Sequence, residues 1–203
     1  MSEQAAGAAP LILADVRRWR EWLTDHEDTS DGVWLLLAKK NVVTPTSITY
    51  QQALEEALCS GWIDGQRRRY DEHTFLQRFT PRRARSAWSQ RNVDIVARLG
   101  ADGRLRPRGS AEIERARSDG RWDRAYAGPS TATPPAALDA ALDAAPGARA
   151  AFERLTRTER YSALHPLLTA PDDHLLARRV QRLVDRLTAP DDQTGTRSRN
   201  SSP

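Results

Sequence analysis

Cysteine is almost absent from this 203-residue sequence: Cys59 stands alone, so no disulfide can form within the chain. Lysine is nearly as scarce, with Lys39 and Lys40 the only two among 31 basic residues. No long hydrophobic run is present. The longest, Val33 to Ala38, falls far short of the roughly 20 residues that a membrane-spanning helix needs. The four histidines (His26, His73, His165 and His174) are scattered, and no spacing resembles a metal site. There is no glycine-rich phosphate loop, no nucleophile elbow and no dinucleotide fingerprint, which sets aside several large enzyme classes. No metal and no cofactor are expected. Met1 to Pro10 lacks the basic start and apolar stretch of a secretory signal, so a cytoplasmic location is the expectation.

What the sequence has in quantity is arginine. From Arg67 to Arg108 there are twelve arginines against four acids, a net of +8, in a chain whose overall charge is +4. The excess is therefore a local band rather than a general cationic coat. Such a band attracts anions.

Periodicity assigns the elements. Val16, Trp19, Trp22 and Leu23 have helical spacing, with Asp15 as N-cap. Val33 to Ala38 reads as a buried strand. Thr49-x-x-Gln52 has the form of a capping box and opens a helix that Gly61 stops. Trp62 to Arg69 and His73 to Thr80 flank Asp71-Glu72 as a β-hairpin, with Phe75, Gln77 and Phe79 on one face. Ser86 is expected to cap a helix carrying Trp88, Val93, Val96 and Leu99. Another helix is expected over Ser110 to Asp119. Thr156-x-x-Glu159 forms a second capping box, and Asp173 to Leu187 an amphipathic helix with arginines on its polar side.

The expected fold is α+β and predominantly helical: a small antiparallel sheet or hairpin covered by helices, followed by a C-terminal helical unit. The main domain spans 1–126, with 1–10 disordered. A linker follows at 127–136, then a helical domain over 137–189 and a disordered tail over 190–203. Trp19, Trp34, Leu36, Leu54, Leu58, Trp62, Phe75 and Phe79 are the expected core.

The stretch from Phe79 to Asn92 is the most suggestive chemically. It sets arginines just before a helix start, where free N–H groups and the helix dipole favour an anion. Guanidinium forks match carboxylate or phosphate. The candidate anion site comprises Trp62, Asp64, Arg82, Arg83, Ser86, Trp88, Ser89 and Asn92. The plainer reading makes Ser86 a simple cap and pairs the arginines with Glu55, Glu56 and Asp64. Asp64 with Glu55 or Glu56 could also form a carboxylate pair for acid–base work, although a structural role as partner to Arg67 to Arg69 on its own hairpin is the favoured reading. Cys59, with no histidine near it in sequence, reads as a packing residue. The arginine-lined helix over Asp173 to Leu187 could lie on a membrane or pack within the protein.

Three stretches, Glu55-Glu56-Ala57-Leu58-Cys59-Ser60-Gly61-Trp62-Ile63-Asp64-Gly65, Gln77-Arg78-Phe79-Thr80-Pro81-Arg82-Arg83, and Ser86-Ala87-Trp88-Ser89 with Asn92, resemble the bacterial YdeI/OmpD-associated family, also labelled bacteriocin-protection proteins. The likeness continues through Gly103 to Pro107, Gly120-Arg121-Trp122 and Ala177 to Val180. It implies an association with envelope proteins and with resistance to bacteriocins or cationic antimicrobial peptides, and it carries no catalytic set. Ser60 departs from the pattern, standing where an aromatic is usual. Pro166 and Pro171 interrupt a C-terminal region that is normally more basic. The functional expectation is a non-enzymatic binding and stress-protection protein. Its partner would be an anionic small molecule, or an acidic protein or lipid surface. The alternatives are an enzyme on a phosphorylated or nucleotide-like substrate and, less favoured, a nucleic-acid binder.

Overall fold

A computed structural model describes residues 9–189. The expectations for residues 1–8 and for the tail from residue 190 lie outside the described residues. The chain divides into two compact units, Met1–Ala125 and Tyr126–Pro203, each with a hydrophobic cluster of its own. The fold is α+β and predominantly helical, with eight helices and three strands among the described residues.

The first unit runs α1 (Val16–His26), β1 (Val33–Ala38), α2 (Tyr50–Cys59), β2 (Trp62–Arg69), β3 (Thr74–Pro81), α3 (Gln90–Ala101) and α4 (Pro107–Ser118). The caps expected at its first two helices are present. Asp15 accepts from the Arg18 N–H, and Thr49 with Gln52 forms a complete capping box. Gly61 ends α2 at φ +68°, a conformation that suits glycine.

The sheet is antiparallel in the order β1-β3-β2. Its pleat alternates as the sequence implied: Phe75, Gln77 and Phe79 are buried on one face. That face joins Trp19, Leu23, Leu35, Leu54, Leu58 and Trp62 in one core. All eight residues expected in the core are buried. β2 is an edge strand with a register shift between Asp64 and Arg67. The carbonyls of Gly65 and Gln66, at this irregularity, both accept from the Gln77 side-chain amide (2.9 and 3.2 Å). A buried glutamine on the core face thereby satisfies carbonyls where the ladder is interrupted.

Two boundaries differ from expectation. The cap of α3 is Ser89, whose hydroxyl accepts from the Asn92 N–H, and Ser86 with Trp88 precedes the helix. α4 begins at Pro107, three residues before Ser110, because proline suits the first helical position, where no N–H partner is required.

After a non-helical stretch over 126–135, the described residues of the second unit form four helices: α5 (Ala136–Ala144), α6 (Ala148–Arg154), α7 (Arg157–Leu168) and α8 (Asp173–Thr188). The Thr156–Glu159 capping box opens α7, and Asp172 caps α8. Leu138, Leu142, Phe152, Leu164, Leu183 and Val184 are buried in its core.

Candidate functional site

Glu55 and Glu56 sit side by side in the last turns of α2. Glu56 is buried, and its carboxylate takes a two-point contact from Arg20 of α1, with Nε to Oε2 at 2.9 Å and Nη2 to Oε1 at 2.8 Å. Arg104 adds a bond to Glu56 at 2.7 Å and one to Glu55 at 3.1 Å. Arg98 of α3 binds Glu55 at 2.6 Å. Burial alone would raise both acids, but bonds from Gln51, Arg98 and Arg104 to Glu55, and from Arg20 and Arg104 to Glu56, hold both below the ordinary carboxylate value. Both acids are therefore ionised structural anchors joining α1, α2, α3 and the turn before α4.

This arrangement corrects two expectations. Asp64 forms no carboxylate pair with Glu55 or Glu56. Instead it accepts from the Tyr50 hydroxyl at 2.7 Å. Burial, with the charge of Asp64 and its bond, pushes that phenol up to about 12. Nor do Glu55, Glu56 and Asp64 serve as the partners of Arg82 and Arg83, because other groups already hold them. Side chains from other elements hold these acids: Arg20, Arg98 and Arg104 bind Glu55 and Glu56, and Tyr50 of α2 binds Asp64.

The eight candidate residues separate by burial. Trp62 and Trp88 lie wholly within the core. The Trp62 indole N–H donates to the Glu27 carbonyl at 3.2 Å, and Trp88 packs against Trp122 with ring centroids 5.2 Å apart. Arg82 is buried, with its guanidinium carbon 3.6 Å over the Trp88 ring and an Nη1 bond to the Ala87 carbonyl at 3.1 Å. It braces the loop in which it lies. Ser86 turns that loop: its hydroxyl accepts from the Arg83 N–H, and its carbonyl accepts from Arg121 at 3.1 Å. Ser89 and Asn92 form the first turn of α3, with Asn92 buried. Asp64 is half-buried beneath Tyr50, and Arg83 is exposed.

The exposed basic surface is wider than the candidate set. Arg67, Arg68 and Arg69 line the edge strand, and Arg83 and Arg85 follow on the loop, all exposed; Arg78 of β3 is half-buried. Among the described residues none of these six forms an ion pair. Arg67 lies 3.8 Å over the Phe75 ring and Arg68 4.2 Å over the Trp34 ring. Charged side chains on an edge strand also discourage strand-to-strand aggregation.

Two families match the chain. Residues 11–112 match a domain of unknown function (DUF8412), which is half of the chain. The protein belongs to the DUF8412 family. Residues 131–189 match the family described as Bacteriocin-protection, YdeI or OmpD-Associated. The resemblance read from the sequence is thus present, on the C-terminal helical unit. The central run from Glu55 to Asn92, on which much of that reading rested, falls within the DUF8412 region, as do all eight candidate residues. No curated protein and no solved structure matches the chain.

Sequence reasoning missed the arginines that organise the DUF8412 region. Arg106 reaches the Glu56 carbonyl at 3.3 Å and the Ser60 hydroxyl, and it approaches Glu27 at 3.1 Å without the alignment of a hydrogen bond. Arg108 binds the Ser60 carbonyl and Asp28, both at 3.0 Å. Ser60, the departure from the expected aromatic, is therefore a buried acceptor for Arg106. Farther on, Arg121 joins the buried Glu112 at 2.9 Å to Asp119 at 2.8 Å. The pair Glu55-Glu56 was a signal for Arg20, Arg98 and Arg104, since buried carboxylates require partners; the contacts of Arg106 and Arg108 had no comparable local signal. Cys59 is buried as expected. Burial, aided by the Glu56 charge, pushes its thiol up to about 11, which leaves little thiolate at neutral pH. No helix among the described residues is long and apolar enough to cross a membrane. No described cluster of His, Cys, Asp and Glu could hold a metal ion.

Proposed function

We propose that this chain is a non-enzymatic binding protein acting in bacteriocin or stress protection, and that its basic hairpin and following loop take an anionic partner. One observation carries the reading. Arg67, Arg68, Arg69, Arg78, Arg83 and Arg85 form no ion pair among the described residues, while the neighbouring Glu55 and Glu56 are held by Arg20, Arg98 and Arg104. Guanidinium groups presented in this way favour phosphate or carboxylate, each fork offering two parallel donors. A surface of this sign repels a cationic peptide, so protection would run through an anionic ligand rather than direct capture of the toxin.

A catalytic role draws no support from the acids, since Glu56 is buried, doubly bound and depressed in pKa, all of which make it a poor proton acceptor. Base stacking is disfavoured at the hairpin because arginines cover the Phe75 and Trp34 ring faces. The reading takes the cytoplasm as the compartment, which cell fractionation tests.

Titration calorimetry with ATP and with a short single-stranded DNA tests the ligand class. Arg83→Ala with Arg85→Ala should weaken ATP binding about tenfold or more, since a charged hydrogen bond contributes roughly 1.5–3 kcal/mol. The melting temperature should stay unchanged. DNA binding that falls steeply with salt, with no ATP binding, would move the assignment to nucleic acid. Binding of neither ligand would remove the anion reading.

A further inference from the structure

The C-terminal unit carries a groove of its own, formed by residues outside the DUF8412 region. Between α7 and α8 lies an open cleft of about 550 Å³, lined by His165, Pro166, Arg179, Arg182, Leu183 and Arg186 among others. Through the shared residues Ala163, Leu183 and Arg186 it continues into a second cleft of about 380 Å³ that reaches Leu155, Glu159 and Leu187. Half-buried Leu155, Ala163 and Leu187 give the second cleft an apolar lining, and Arg179, Arg182 and Arg186 make one rim of the first basic.

Two observations define what would fit. First, the apolar face of α8 is already occupied, because Val180, Leu183 and Val184 are buried in the core of the unit. The helix therefore has no free apolar face to lay into a bilayer. Second, the rim is unbalanced in charge. Arg179, Arg182 and Arg186 stand at i, i+3 and i+7, spanning about 10 Å along the helix. Among the described residues none of them forms an ion pair. Arg179 donates to the Pro166 carbonyl and Arg182 to the Arg178 carbonyl. The nearby acids are engaged elsewhere: Asp185 accepts from Gln181 at 2.7 Å, and Glu159 closes the capping box of α7.

We infer that this groove docks an acidic amphipathic helix of a partner protein. Its apolar ridge lies over the half-buried Leu155, Ala163 and Leu187, and its carboxylates, spaced by three and four residues, meet Arg179, Arg182 and Arg186. A ridge of side chains on a helix fills a concave slot between two helices, as in other helix-in-groove complexes. Opposite charges at matched spacing then fix register and orientation.

The test uses the full chain and a fluorescently labelled model peptide of about five turns, with leucines at i, i+3, i+4 and i+7 and glutamates flanking them. Anisotropy should report binding at low salt. A scrambled peptide of the same composition should bind at least tenfold more weakly. Arg182→Glu with Arg186→Glu should cost at least tenfold without lowering the melting temperature, and Ala163→Gln on the floor should also weaken binding. Arg83→Ala with Arg85→Ala should leave peptide binding intact, which separates this site from the one proposed above. If the double reversal melts early, Arg186→Glu alone together with Ala163→Gln decides. Equal binding of the scrambled peptide, indifference to both groove variants, or no binding at low salt overturns the proposal. So does binding to phosphatidylglycerol vesicles, sensitive to the arginine reversals, in the absence of peptide binding.

Discussion

At Glu56, burial and pairing oppose each other, and pairing wins: the carboxylate stays ionised because Arg20 and Arg104 supply three bonds to it. Removing the charge leaves Arg20 without its counter-ion and Arg104 with Glu55 alone. Glu56→Gln should therefore destabilise by about 3 kcal/mol, the low end for breaking a buried pair because Arg20 keeps half its surface in water. Urea denaturation checks this. The pH dependence follows from the same contacts. Glu55 and Glu56 titrate below their ordinary value of 4.5 in the folded protein. Their contribution is complete above that value and is lost as pH falls through the depressed folded one. Thermal melts should be insensitive to these two acids at neutral pH and fall in acid below about pH 4.5, and Glu56→Gln should flatten that acid limb.

Between elements, α4 comes close to the end of α2 at Gly109. A Cβ on Gly109 would stand 2.2 Å from the Cys59 carbonyl oxygen, and the Arg106 N–H already bonds that same oxygen at 3.0 Å. Neither backbone can yield. Gly109→Ala should lower stability by about 3 kcal/mol or more, at the upper end of overpacking costs, with an earlier urea midpoint as the readout. The elements themselves were largely legible in the sequence because their signals are local. A hydroxyl and a glutamine or glutamate three residues apart close a capping box without outside help, as at Thr49 and Thr156, and the hairpin declared itself by alternation. The cap of α3 was less legible. Ser86 and Ser89 are equivalent by type, and contacts made at a distance separate them: Arg121 claims the Ser86 carbonyl, while Arg82 and Trp88 stack in the loop ahead of the helix. The candidate site suffered in the same way. Counting charges located the basic band, but pairing joins Arg20 to Glu56 across 36 residues and Arg104 to Glu55 across 49. Periodicity carries no information at that range, so buried Arg82 could not be told from exposed Arg83.

At the scale of the whole molecule, the two units hold separate hydrophobic clusters. A cavity in one should therefore act first on its own helices. Phe152 is buried in the second cluster, and Phe152→Ala should cost about 3–5 kcal/mol there. Hydrogen exchange should accelerate across α5 to α8 and leave the slowest amides of β1 and β3 at their original rates. Uniform acceleration through both units would show a single cooperative fold instead. The exposed band on β2 and the loop after β3 is built from arginine, with no lysine in it. Guanidinium keeps its proton past any physiological alkalinity, and acetyl transfer to lysine, a common means of erasing positive charge, finds no amine there. The field of this surface is in that sense permanent, and only the surrounding electrolyte or a competing polyanion can quiet it.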